Sequence, residues 1–267
     1  NQSDPLSMKM GGFSRGAGHG STFRDKWNNY WHVSTSIVCV KNTFERRIGI
    51  WPAGFDKDDM MWCNTAFGDY PLSLPNPSKG GALKDTGNSK NILQETGSAI
   101  PPWGGGGAGT FTGWMLLNYK KPITVSSTLG AYHANNANDE SIKTYWCAAT
   151  ANSGEWLQSD LGNISAVHAI QINYADQDAA FLGKSSGVYH QYKLYYSADG
   201  KKWNMLVDKS SNKTDVPHDY IELDKPIPAR FIKLENIHMP TGKFAISGLR
   251  VFGNGNGAKP SAVNTFL

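Results

Sequence analysis

The chain has 267 residues, enough for one large domain or two ordinary ones that each bury a core. Its net charge of +4 comes from scattered Lys and Arg, with pairs such as Lys120-Lys121 but no long basic run, which argues against nucleic acid as a partner. The longest apolar runs, such as Ile37 to Val40, fall far short of the ~20 residues of a membrane-spanning helix, and 29 Gly, 13 Pro and 12% aromatics favour an all-β chain of short strands and tight turns.

In chain order, the start Asn1-Gln2-Ser3 carries no charged-then-apolar targeting segment and reads as the cut end of a longer polypeptide. Short alternating bursts at Ser21–Phe23, Tyr30–Val40, Arg47–Phe55 and Met60–Phe67 predict four antiparallel strands, separated by Asp- and Asn-rich turns. From Pro75 to Gly113 the composition shifts to Pro, Gly, Ser and Lys, which predicts an irregular connector extending over residues 75–122. Strand signals then return at Trp156–Gln158, Ala166–Tyr174, Tyr192–Ser197, Tyr220–Leu223, Phe231–Ile237 and Leu249–Phe252, enough for a sandwich of about eight strands over residues 123–253. Asp199-Gly200 is the signal of a tight two-residue hairpin turn. Residues 254–267 open with a flexible Asn-Gly repeat. The three cysteines, Cys39, Cys63 and Cys147, match no zinc spacing and leave at least one thiol unpaired.

The second half resembles the coagulation factor type C, or discoidin, family, which includes many galactose-binding-like carbohydrate-binding modules. The resemblance rests on Asp139-Glu140 with Thr144-Tyr145-Trp146, on Glu155-Trp156-Leu157-Gln158-Ser159-Asp160-Leu161-Gly162, and on Tyr192 to Ser197 with Asp199 to Trp203. Ala229 to Leu234 and Gly248 to Gly253 complete it. It implies a jelly-roll β-sandwich with ligand at one loop end, making Tyr132, His133, Phe181, His190 and His238 the candidate sugar-contacting residues. Trp146, Trp156 and Trp203 are expected to pack rather than to bind. The resemblance also implies a structural calcium near Asp139 and Thr144. Gly248 stands where the family's acidic ligand in the last strand is expected, and the alternative role of Asp139 and Thr144 is to cap a turn.

The first half, over residues 1–74, resembles the last part of the five-bladed β-propeller of family-43 glycoside hydrolases. Gly16-Ala17-Gly18-His19-Gly20 looks like the segment that sets a histidine at the propeller centre, beside the pocket and next to a bound ion, with calcium again the candidate. Arg46-Arg47-Ile48-Gly49-Ile50 looks like the strand that delivers an arginine there. His19 and Arg46 are thus expected to bind substrate, and His19 also to hold metal.

That family inverts at the anomeric carbon with two carboxyl groups. No motif for those carboxylates occurs in residues 1–74, so no catalytic residue is assigned and the chain alone is expected to be inactive. The leading expectation is a fragment of a secreted arabinofuranosidase- or xylosidase-like enzyme that acts on plant polysaccharide outside the cytoplasm, in the periplasm or at the cell surface. Its partners would be polysaccharide and the missing blades of the same polypeptide. The tail from Lys259 resembles the entry strand of a fibronectin type III module. The alternative is a non-catalytic glycan-binding or adhesion module. A phospholipid-binding reading has only Phe181-Leu182-Gly183-Lys184 to support it, so a membrane partner is not expected.

Overall fold

The computed structural model describes residues 15–25, 30–37, 46–55, 59–63, 71, 114–180, 182 and 186–254. They belong to two compact units, one ending at Trp114 and the other starting at Met115. No helix among the described residues is long and apolar enough to cross a membrane.

In the first unit, strands β1 (Arg15–Arg24), β2 (Tyr30–Ile37), β3 (Arg46–Phe55) and β4 (Met61–Cys63) hydrogen-bond in chain order as one antiparallel sheet. The period of two sorts the side chains onto two faces. His32, Ser34 and Ser36 of β2 are buried with Trp51 and Ala53 of β3, whereas Ile48 and Ile50 are exposed. Gly49 is required beneath the Trp51 ring, since a Cβ there would meet Trp51 Cη2 at 2.0 Å. The four strands agree with the bursts in the sequence, but the propeller that the resemblance implied is not evident. Among the described residues this unit shows one four-stranded sheet and no second blade beside it.

The second unit contains β5 (Met115–Leu116), β6 (Ile123–Val125), a 3-10 turn at Ala134–Ala137, β7 (Trp146–Cys147), β8 (Trp156–Tyr174) and β9 (Gln191–Ser197). It continues with β10 (Asn204–Asp208), β11 (His218–His238) and β12 (Ala245–Asn254). β5 pairs with β12, so this unit takes in the segment from Met115 that the sequence read as connector. Residues 75–113 and 255–267, where the rest of the connector and the tail were placed, lie outside the described residues.

The registers define two layers. The first part of β8 pairs with β6 and with the last part of β11, which in turn pairs with β9 and, through it, β10. The second part of β8 pairs with the first part of β11 and with β12, which also holds β5 and β7. Each long strand therefore crosses from one layer to the other. The sequence divides each into two strands, because Gly162-Asn163 and Asp224-Lys225-Pro226 carry turn composition. At these places the β8–β11 ladder is interrupted, with residues 161–164 and 223–226 out of the pairing, and Gly162 turns the chain at φ 81°. Between the layers lie Trp146, Leu157, Leu161, Ile170, Ile172, Leu194, Ile232, Leu234, Phe244, Leu249 and Val251, all fully buried. Trp146 is thus a core residue, as the sequence suggested. The β9–β10 connection spans residues 198–203 and is wider than a two-residue turn. There Asp199 Oδ1 accepts the Lys201 and Lys202 N–H groups at 2.8 and 2.9 Å, while Gly200 supplies φ 74°.

β12 closes tightly on β8 at its end, where a Cβ on Gly253 would meet the Ala166 carbonyl oxygen at 2.0 Å. Gly253→Ala is expected to lower the stability of the sandwich by roughly 1–3 kcal/mol through overpacking, measured as a reduced denaturant midpoint at unchanged slope.

Candidate functional site at the loop end of the sandwich

Strands β5 and β12 put the ends of the second unit at one end of the sandwich, where Met115 pairs with Gly253. The opposite end is built from four connections: residues 126–155, 175–190, 209–217 and 239–244. Of the sequence-predicted residues, Tyr132, His133, His190 and His238 all lie here, and Phe181 falls outside the described residues.

The structure brings His190 and His238 together and sets Tyr132 in a separate cluster. His238 ends β11 opposite Gln191, and its ring stacks on Tyr189 at 4.2 Å and 16°. Its Nδ1 donates to the Tyr189 carbonyl at 3.0 Å, which leaves Nε2 as the acceptor of the ring. Both rings are half-buried. Tyr189 escaped the sequence reading; the signal available was an aromatic side chain next to His190, just before a strand.

His190 is not a surface group. It is 5% exposed and packs on Tyr174 at 4.5 Å, with its Nδ1 accepting the Val216 N–H at 3.3 Å. Burial, with smaller contributions from His238 and His218, pushes its pKa down to about 4 against the opposing attraction of Asp219. Asp215 Oδ1 lies 3.2 Å from the same Nδ1, but that nitrogen carries no proton in the neutral ring, so the contact is proximity and not an ion pair. Behind it, Tyr192 donates to Asp219 Oδ2 at 2.7 Å and Lys209 pairs with the same oxygen at 2.5 Å. His190 therefore braces the floor of this end. The surface is left to Tyr189 and His238.

Tyr132 stacks on Tyr145 at 4.7 Å, and the Tyr145 hydroxyl donates to Gln177 Oε1 at 2.6 Å. His133, beside it, is exposed. The loop after β8 is tied to the loop before β12 through Lys243 N–H to the Gln177 carbonyl and Ala180 N–H to Thr241 Oγ1. Leu182 is 44% exposed on that loop. Gly242 allows the close approach, at φ 72° and with room for no Cβ beside the Gln177 carbonyl.

Asp139 and Thr144 sit together in a turn. Thr144 Oγ1 donates to Asp139 Oδ2 at 2.6 Å, and Asp139 Oδ1 accepts the Ser141 N–H at 2.9 Å. Burial holds the Asp139 carboxyl above the usual range, against these hydrogen bonds and the nearby Lys120. No group of three or more His, Cys, Asp or Glu residues placed to hold a metal occurs among the described residues. His19 is exposed, at φ 51° in a bulge of edge strand β1, and Arg46 lies on β3 opposite Ile37, with β2 between the two. The structure does not bring His19 and Arg46 together.

The pKa of His190 makes stability depend on pH. The unfolded chain binds a proton near pH 6.5 and the folded one only near 4, so stability is full above 6.5 and falls as pH drops toward 4. The loss is expected to approach about 3 kcal/mol at pH 4 and to be largely abolished in His190→Gln, as read from denaturant midpoints between pH 7 and pH 4.

Several solved structures are similar to part of this chain. Chitosan-binding module 1 of a chitosanase/glucanase from Paenibacillus sp. IK-5 is 20% identical, covering 52% of this chain and 98% of that one at TM-score 0.42. Module 2 of that enzyme, in complex with chitotriose, is also 20% identical, covering 51% and 99% at 0.44. The family 32 carbohydrate-binding module of C. perfringens NanJ, in complex with galactose, is 20% identical, covering 52% and 98% at 0.43. No curated protein matches the chain. A family model, the F5/8 type C domain, matches residues 122–247, from the residue before β6 into β12.

Proposed function

We propose that the sandwich is a glycan-binding module that takes its ligand at the loop end, with no chemistry performed there. The F5/8 type C domain supports this reading, and the half-buried Tyr189–His238 stack carries it. A flat aromatic pair offers a face to the C–H side of a pyranose, and His238 Nε2 can accept a hydroxyl hydrogen. His133 and the Tyr132–Tyr145 pair border the same end. On this reading the module meets polysaccharide outside the cytoplasm.

The larger expectation, a glycosidase fragment, now stands second. It rests on short motifs in the first unit alone. The carboxylates described there are Asp25, which accepts the Trp31 indole N–H at 2.9 Å, and Asp59, in a turn at φ 58°. Neither is placed as a member of a catalytic pair.

The test is calorimetric titration of the chain with galactose, chitotriose, arabinan and xylan. Binding to at least one is expected, weakened about tenfold or more by His238→Ala or Tyr189→Ala and unchanged by Met205→Ala, whose side chain is exposed on β10. Binding that survives both aromatic changes would move the site elsewhere. No binding to any glycan, with binding to phospholipid vesicles instead, would replace the proposal.

A further inference from the structure

The calcium implied by the family can be tested against the oxygens available. A calcium ion needs 6–8 oxygen ligands, with carboxylates prominent among them. Both Asp139 oxygens already accept hydrogen bonds within their own turn. Gly248 presents no side chain. Asn138 gives its amide nitrogen to the Asn118 and Lys121 carbonyls, and its Oδ1 is a buried oxygen without a hydrogen-bond partner. One amide oxygen does not make a site, and the residues do not fit the ion.

What holds the same loop to the last strand is a fixed cation of the protein itself. Arg250 of β12 is 1% exposed and Glu140 is 5% exposed. The guanidinium grips the carboxylate with two bonds, Nε to Oε1 and Nη2 to Oε2, both 2.9 Å. Its Nη1 donates to Gln171 Oε1 on β8 at 2.8 Å, and its Cζ lies 4.8 Å from the centroid of the Phe252 ring. Glu140 takes a left-handed backbone, φ 58°, in order to reach this position. A non-glycine residue persists there only where the surroundings over-determine it. We infer that the Glu140–Arg250–Gln171 cluster replaces a structural divalent cation in this sandwich, clamping the loop that contains Asp139 and Thr144 onto β12 and β8. The fold then needs no metal, and its loop end keeps its shape where calcium is scarce.

The experiment is thermal unfolding of the whole chain in excess EDTA and in millimolar calcium chloride, followed by the same scans on Arg250→Met, Glu140→Gln and the double variant. The wild-type midpoints are expected to coincide, because a ligand that does not bind the folded state does not stabilise it. Arg250→Met leaves a carboxylate buried without its partner and should lower the midpoint by roughly 10 °C. The double variant removes both charges and should regain part of that loss. A wild-type midpoint raised by calcium and lowered by EDTA would overturn the inference. So would a double variant as unstable as the two single losses combined, since the pair would then not be coupled. The calcium comparison needs only wild-type protein and stands even if a variant fails to fold.

Discussion

The sandwich depends on two strands that each serve both of its layers. β8 and β11 run antiparallel along their length, and both bend where the chain passes from one layer to the other. Because they pair on both sides of the bend, neither layer can slide on the other without breaking the register of both strands. The corner is specified chemically. Arg230 donates from Nε and Nη2 to the two oxygens of Asp160 at 2.9 Å, and Asp160 Oδ1 also accepts the Gly162 N–H at 2.8 Å. The guanidinium holds the Asp160 carboxyl below the usual carboxylate range. With the Arg230 side chain 43% exposed, this pair sets the geometry of the bend more than it adds stability.

That constraint explains what was legible in the sequence. The alternation along Trp156–Gln158, Ala166–Tyr174 and Phe231–Ile237 follows from one buried face, and each of these segments is a strand in the structure. That both halves of β8, on either side of Gly162-Asn163, pair with the same strand β11 was not legible, because a register shift and a turn use the same residues. At the loop end, His190 and His238 could be placed by position but not distinguished. Only packing shows that one ring is sealed against Tyr174 while the other lies on Tyr189 near the surface. The hydrogen bond between Thr144 and Asp139 was within reach of the sequence as the capping alternative. Arg250 read as an ordinary strand residue, since nothing local reveals that a loop more than a hundred positions earlier covers it. In the first unit the four strands were legible from their alternation, but the polar buried face of His32, Ser34 and Ser36 was not.

The two ends of the sandwich solve different problems. The corner end fixes the relation of the layers with a bidentate pair that water can reach. The loop end must hold irregular backbone still, where ladder hydrogen bonds are unavailable, and it does so with buried polar groups that are mostly satisfied. Gln177 accepts from Tyr145, and Asn236 Nδ2 reaches the Ala151 and Asn152 carbonyls. Asn212 Nδ2 bonds the His190 and Thr214 carbonyls. Apart from the Asn212–Thr214 bond, which lies within one loop, these ties join a loop to a strand or to another loop. Side-chain amides suit this task because one group both donates and accepts, and stays neutral at every pH at which the protein folds. A charged group in the same place would need a partner as exacting as the one Arg250 has in Glu140. The loop end thereby becomes rigid beneath while Tyr189 and His238 remain accessible above, which is the arrangement a recognition surface requires: little ordering is left to be done when a ligand arrives.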